Sequence, residues 1–205
     1  MKILKTEDDT DEVLLQAVKV LKSGGIIAYP TETFYALGVN AMDEGALKRL
    51  YKLKGRPFKK PLPVIVGDIK GLKRLIKKLP PHAQRLIKKF WPGPLTIIFE
   101  ASFDIPELLT AKTGKIAIRI PREEIALRLA KKAGFPVTST SANPTGKRPA
   151  IEPEKVIHYF SEKIDLLFDG GRTPGGKPST IVDVTGNIRI IRKGVIPSRA
   201  ILDLD

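Results

Sequence analysis

Cysteine is absent from all 205 residues, which excludes a disulfide framework and any thiolate-ligated metal site. Histidine is nearly as scarce. His82 and His158 stand far apart and in no ligand-spaced cluster, so they read as ordinary surface or core histidines. Acidic residues are in deficit, 22 Asp and Glu against 36 Lys and Arg, and the formal charge of +14 favours anionic partners: phosphates, nucleic acid or acidic substrates. No run approaches the ~18 apolar residues needed to cross a bilayer. The stretch from Met1 to Asp9 lacks the apolar centre of a signal peptide. The expectation is a soluble, cytoplasmic protein with no membrane partner.

With 42% hydrophobic residues, the chain is able to bury a substantial core. A first helix is expected from Asp9 or Thr10, with Glu12 placed for a capping-box contact to Asp9. Val13, Leu14, Ala17, Val18 and Leu21 form its apolar face, and Gly24 stops it. A buried strand, Ile26 to Tyr29, ends at Pro30, which has no amide donor, and Leu37 to Ala41 makes a second. Asp43 caps a helix that carries Leu47, Leu50, Tyr51 and Leu53. Pro57 and Pro61 make Arg56 to Pro61 a stiff basic loop ahead of a strand from Leu62 to Val66. In the next helix Lys70, Lys73, Arg74, Lys77 and Lys78 form a continuous basic stripe opposite Leu72, Leu75, Ile76 and Leu79. A second basic helix spans Pro81 to Phe90. Further strands are expected at Leu95 to Phe99, Ile116 to Ile120, Pro136 to Ser139, Ile164 to Phe168, Thr180 to Val184 and Ile188 to Arg192, and further helices at Arg122 to Gly134 and Pro153 to Phe160. The mixture predicts a single α/β domain over residues 1–205.

Four stretches carry chemistry. Thr31, Glu32 and Thr33 place three polar side chains between two apolar runs, which suits either a hydrogen-bonded turn or a site at a strand end. Lys54, Arg56 and Lys60 gather three cations within seven residues, fit for triphosphate neutralisation or for a solvated basic turn. Ser139, Ser141 and Asn143 alternate along an extended segment, a row suited to phosphate or ribose oxygens and equally to ordinary loop chemistry. No histidine pattern pairs with these serines as a hydrolase triad would need. Arg119 interrupts an apolar strand. A buried arginine without a partner is expensive, so it must face a carboxylate ligand, an internal acid or a cavity, and Arg192 poses the same question. Gly171 to Lys177 fits the first seven positions of a phosphate-binding P-loop. Pro178 stands where Ser or Thr should ligate Mg²⁺, and Thr180 to Val184 reads as strand rather than helix, so the P-loop is rejected.

The stretch from Ile26 to Ala41 that holds Thr31-Glu32-Thr33, then Lys54-Gly55-Arg56-Pro57, Ser139-Thr140-Ser141-Ala142-Asn143 and Lys177-Pro178-Ser179-Thr180-Ile181-Val182-Asp183 occur in this order, and together they resemble the YrdC-like family of threonylcarbamoyl-AMP synthases. The resemblance runs from about residue 10 to Pro197. It implies a mixed, twisted β-sheet flanked by helices around a wide basic cavity. The implied activity joins L-threonine, bicarbonate or carbon dioxide, and ATP with its Mg²⁺ into threonylcarbamoyl-AMP and pyrophosphate, with no dedicated protein metal site. A separate transferase complex then carries the threonylcarbamoyl group to tRNA. By the same resemblance Thr33, Arg119 and Ser139 contact threonine, with Arg119 on its carboxylate. Lys54, Arg56, Lys60, Ser141, Asn143 and Arg192 contact ATP, with Lys54 and Arg56 catalytic. The chain departs at Ile65 and Pro149, where longer relatives often carry His and Ser. It also lacks their C-terminal extension, so closure over the nucleotide is expected to be local.

An alternative of another class is a basic module binding double-stranded RNA or tRNA through the stripe from Lys70 to Lys89. It has the charge but no interleaved aromatics for stacking bases.

Overall fold

The computed structural model describes residues 1–5 and 10–204. Its strands are β1 (Lys2–Lys5), β2 (Ile27–Tyr29), β3 (Ala36–Gly38), β4 (Val64–Ile65), β5 (Leu95–Glu100), β6 (Lys115–Arg119), β7 (Val137–Thr138), β8 (Thr140–Ser141), β9 (Leu166–Asp169), β10 (Thr180–Asp183) and β11 (Arg189–Arg192). Its helices are α1 (Thr10–Lys22), α2 (Glu44–Lys54), α3 (Ile69–Leu75), α4 (Pro81–Phe90), α5 (Glu107–Thr110), α6 (Glu124–Ala133), α7 (Pro153–Phe160) and α8 (Ser198–Leu202). The expected capping contact between Asp9 and Glu12 lies outside the described residues.

The mixed α/β expectation holds, with the strands divided over two sheets rather than one. The first runs β1-β9-β2-β3-β8 and the second β11-β10-β5-β6-β4-β7. Each mixes parallel pairs, such as β2 with β9 and β10 with β5, with antiparallel ones, such as β2 with β3 and β5 with β6. The chain passes from one sheet to the other between β7 and β8, where Ser139 donates its amide to the Pro63 carbonyl at 2.8 Å. This crossover is why the expected strand from Pro136 to Ser139 shortens to Val137–Thr138 and a further strand follows it.

Periodicity explains which face of each element is buried. Val13, Leu14, Ala17, Val18 and Leu21 of α1 pack with Ile125, Ala126, Leu129 and Ala130 of α6 over Ile27, Tyr29, Leu166 and Phe168 of the first sheet. Each fully buried leucine or phenylalanine there contributes about 1.5–3 kcal/mol of transfer free energy. In the second sheet, Leu95, Ile97 and Phe99 of β5 and Ile116 and Ile118 of β6 enter the larger core. Residues of the opposite parity on these strands, Thr96, Ile98, Ala117 and Arg119, turn to a cavity.

Helix α3 ends at Leu75 and does not continue to Leu79 as the periodicity predicts. Ile76 instead forms a β-bridge with Ala101, and the Lys77 amide donates to the Glu100 carbonyl at 3.0 Å. The basic stripe is therefore broken after Arg74. Strand pairing at the C-terminal end of β5 outweighs helical spacing here. Helices α4 and α7 occupy the spans expected for them, and both begin on a proline, which is well placed where no amide partner is needed. Strand β1 and helices α5 and α8 have no counterpart among the expected elements. Among the described residues, no helix is long and apolar enough to cross a membrane.

Candidate active site

The Lys-Gly-Arg element is a helix ending. Asp43 starts α2 by accepting the Ala46 amide at 3.0 Å. Gly55 ends it in the left-handed region, at φ +58°, where the absence of a Cβ removes the steric penalty. The Gly55 amide donates to the Lys52 carbonyl at 3.1 Å and the Arg56 amide to the Tyr51 carbonyl at 3.0 Å, the paired bonds of a Schellman ending. This turn sends its two cations in different directions. Lys54 is 3% exposed, and its Nζ donates to the carbonyls of Ser141 and Asn143. Arg56 faces the cavity and ties Nε and Nη2 to the carbonyls of Lys60 and Pro61, at 3.1 and 2.8 Å.

Burial, and to a lesser extent the nearby charge of Arg56, pulls the Lys54 pKa down to about 7. The Arg56 guanidinium is also lowered by burial, against an opposing pull from Tyr51.

The cavity has a volume of about 640 Å³, within the roughly 300–1,000 Å³ usual for ligand pockets. Thr31 and Thr33 reach it from the β2–β3 loop, Arg56 and Lys60 from the loop before β4, and Ser139 and Ser141 from the sheet crossover. Thr96, Arg119, Ser179 and Arg192 reach it from the second sheet and its approach. Seven of the nine residues singled out from the sequence thus line one space: Thr33, Arg56, Lys60, Arg119, Ser139, Ser141 and Arg192. Lys54 and Asn143 do not. The Asn143 side chain accepts from the Ser141 hydroxyl at 2.6 Å and donates to the carbonyls of Pro144 and Lys147 at 2.9 and 2.8 Å. Both residues sit behind the cavity wall and hold the loop that presents Ser141. In this arrangement the Lys54 amine and the Asn143 amide both bond to the segment that presents Ser141.

Arg119 has both an internal acid and a cavity. Its Nη1 lies 3.3 Å from Oε1 of Glu32, with the two side chains 6% and 15% exposed. The Arg122 amide lies 3.5 Å from the same oxygen, while Glu32 Oε2 is buried with no hydrogen-bond partner among the described residues. Arg192, exposed as a residue at the cavity mouth, donates Nε and Nη2 to the Ser179 carbonyl at 3.1 and 2.8 Å, and Nη2 to the Ser179 hydroxyl at 2.9 Å. Desolvation of its head group, joined by the positive charge of Arg119, lowers its pKa. Two guanidinium groups that sense each other across one space make an anion-attracting site. Ser179 also bonds the Thr96 hydroxyl at 3.0 Å, which fixes its orientation.

The glycine-rich segment before β10 borders the same cavity through Gly176 and Pro178. Gly175, at φ +67°, donates to the Thr33 carbonyl at 2.7 Å, and a Cβ there would come within 2.9 Å of Ile151 Cγ2. Tyr35 pins the segment further by donating its hydroxyl to the Gly171 carbonyl at 2.7 Å. The strand that follows it, β10, carries no P-loop helix. Asp183 at the end of β10 is not in the cavity. Burial alone would raise its pKa, but bonds from Lys115 and Thr185 hold it at about 2. Of the two departures noted in the sequence, Pro149 lines the cavity, and Ile65 is buried in β4, in register with Arg119 of β6.

Sequence reasoning passed over Glu32, Ser179 and Thr96 as site residues. Glu32 and Ser179 lie inside two of the quoted motifs, and Thr96 shares parity with the cavity face of β5, so signals for all three were present. Outside the cavity, Phe103 is 93% exposed with the Lys77 amine 4.7 Å from its ring centre. The basic surface therefore does have aromatic neighbours: Phe103, brought from the loop after β5, and Phe90, whose ring centre lies 5.5 Å from the Lys89 amine. The described residues include no group of three or more His, Asp or Glu able to hold a metal ion.

Comparison with known proteins identifies the family. Residues 19–194 match the Sua5/YciO/YrdC family model, described as "Telomere recombination". The chain is 40% identical over 169 residues to the threonylcarbamoyl-AMP synthase of Pyrococcus abyssi, covering 82% of this chain and 50% of that protein. It is also 40% identical over 170 residues to the threonylcarbamoyl-AMP synthase of Methylobacillus flagellatus, covering 82% of this chain and 93% of the relative. The chain thus spans half the length of the first relative and nearly all of the second. The crystal structure of P. abyssi Sua5 complexed with L-threonine superimposes with a TM-score of 0.93 at 35% identity, over 99% of this chain and 60% of that one. By its sequence match and its architecture alike, the chain belongs to the Sua5/YciO/YrdC family.

Proposed function

We propose that this protein is a threonylcarbamoyl-AMP synthase, which condenses L-threonine, bicarbonate or carbon dioxide, and ATP, and releases pyrophosphate. The observation that carries the reading is the pairing, in one cavity, of an acid-balanced arginine beside Thr33 and Ser139 with the uncompensated cations Arg56, Lys60 and Arg192. The first group suits an amino acid carboxylate and the second a polyphosphate. Relatives named threonylcarbamoyl-AMP synthase, and a threonine complex of a similar fold, support the same assignment.

In this reading the threonine nitrogen, once its ammonium has given up a proton to solvent, adds to the carbon of carbon dioxide and loses a second proton to give a carbamate; from bicarbonate the same carbamate forms with loss of water. A carbamate oxygen then attacks the α-phosphorus of ATP, and the bond to the β-phosphate oxygen breaks to release pyrophosphate. Arg119 orients the threonine carboxylate, with Thr33 and Ser139 beside it. Arg56, Lys60, Ser141 and Arg192 hold the nucleotide and stabilise the charge that moves onto the leaving phosphates. Removing one such preorganised donor costs about 2.7–4 kcal/mol of transition-state stabilisation in comparable sites. Mg²⁺ enters with the triphosphate as part of the substrate and neutralises phosphate charge. No side chain acts as a covalent nucleophile, so positioning and electrostatics carry the rate. The product is a reactive mixed anhydride, consumed in the cytoplasm by a separate transferase that modifies tRNA.

The test is pyrophosphate release by the purified protein with Mg-ATP and bicarbonate, with and without L-threonine. Release that depends on threonine supports the reading. Release indifferent to threonine, or none from folded protein, overturns it.

A further inference from the structure

Among the described residues, Arg119 is the cavity cation with a carboxylate within salt-bridge reach; Arg56, Lys60 and Arg192 have none. Glu32 achieves this from behind the wall, between the cavity-lining Thr31 and Thr33. It engages one nitrogen of Arg119, at 3.3 Å, through one of its two oxygens. A guanidinium carries five N–H donors in a planar fork, so a contact at Nη1 leaves donors free to grip a ligand. The same acid offsets part of the field that Arg119 projects alongside Arg192.

We infer that Glu32 is the positioning and selectivity residue of this corner: by holding and neutralising Arg119, it makes the corner accept the single carboxylate of a zwitterionic amino acid and reject phosphate. The inference rests on the proposed synthase reading and adds what keeps the two substrates apart. A phosphate dianion approaching Arg119 also meets the Glu32 charge. A zwitterion presents one negative charge to Arg119 and an ammonium group that Glu32 attracts. Without Glu32, Arg119 and Arg192 would form a bare dicationic pair, the arrangement that phosphate prefers. Oε2 of Glu32 is buried with no hydrogen-bond partner among the described residues, so the carboxylate acts on the ligand through its charge from behind the wall.

The experiment compares wild type with Glu32→Gln in steady-state pyrophosphate release, using inorganic phosphate as inhibitor. In the wild type, phosphate should compete with ATP and not with threonine. In Glu32→Gln the threonine KM should rise about tenfold or more, the scale of losing a buried charged partner. The KM should rise far more than kcat falls, and phosphate should become competitive with threonine. Glu32→Asp, which restores the charge, should restore resistance to phosphate. Phosphate competing with threonine in the wild type overturns the inference with no variant needed. So does a folded Glu32→Gln whose threonine KM stays within about twofold, or whose phosphate pattern is unchanged while kcat alone falls, which would mark a structural brace. A wild type without threonine-dependent turnover overturns the synthase reading and this inference together. Normal wild-type turnover with an unaltered variant overturns this inference alone.

Discussion

Replacing Lys54 by methionine keeps the length and apolar contacts of the side chain while removing an amine buried behind the cavity wall. In the wild type that amine donates to the carbonyls of Ser141 and Asn143, and burial, then Arg56, lowers its pKa from 10.5 to about 7. A base with a folded pKa below its unfolded one binds fewer protons in the folded state between those values. Stability therefore rises with pH across that window, from a full penalty below about 7 to none above 10.5. Methionine abolishes this dependence. With these two pKa values, the linkage relation gives the wild type a gain over Lys54→Met of about 2–3 kcal/mol between about pH 6 and about pH 9, with a slope capped near 1.4 kcal/mol per pH unit.

A second effect is independent of pH. The variant leaves two carbonyls without their donor, at roughly 1–3 kcal/mol each if they stay dry. Urea unfolding of both proteins at a series of pH values separates the two effects, since one sets the slope of the difference and the other its offset. Parallel stability curves would refute the reasoning. They would mean that the two carbonyls fully offset the burial of the charge, and that Lys54 keeps its proton throughout.

Arg119→Ala should mainly weaken threonine, and Arg56→Ala should damage ATP use and adenylation, each by about 2–5 kcal/mol as for lost charged contacts to a buried ligand. Titrating each variant with one substrate at saturating levels of the other checks this, and loss of ATP affinity alone in both would remove threonine from Arg119. Asn143→Ala should lower kcat with folding retained, because the Ser141 hydroxyl loses its 2.6 Å acceptor and the loop loses two bonds. Unchanged kcat would show that Ser141 needs no orientation. Replacing Lys73, Arg74 and Lys77 together by Gln should leave threonine-dependent turnover within about threefold, since exposed charges away from the cavity are worth little. A collapse of turnover in folded protein would bring that surface into the site.

What the sequence made legible was local. The apolar face of α1, the Asp43 cap, the proline-led starts of α4 and α7, and the parity of Arg119 on β6 all follow from short-range rules, and the structure keeps them. Elements set by distant partners were not legible. Helix α3 stops early because Ile76 pairs with Ala101, β1 exists because it lies in parallel register with β9, and the two-sheet division depends on the crossover at Ser139. The site divides in the same way. Motifs gathered nearly all of its residues, but which of them face the cavity and which stand behind it depends on long-range bonds. Lys54 reaches residues 87 and 89 positions away, and the acid on Arg119 comes from 87 positions upstream.

The spacing of the Lys-Gly-Arg element has a mechanical reason in this arrangement. Two cations placed two residues apart in a helix do not face each other, and in a strand they would point the same way. The left-handed Gly55 reverses the chain between them, so Lys54 turns inward to the Ser141–Asn143 loop while Arg56 turns to the cavity. The Lys-Gly-Arg and Ser-Ala-Asn elements are thus coupled through protein carbonyls before any ligand arrives. Lys54 holds the segment that carries Ser141, Asn143 orients the Ser141 hydroxyl, and Arg56 faces the same space from the other side of its turn. A site that works by electrostatic preorganisation needs its donors fixed in advance, because any reorganisation during the reaction subtracts from the stabilisation they supply. The buried amine costs stability at neutral pH. What it provides in return is a rigid junction between two segments that border one cavity.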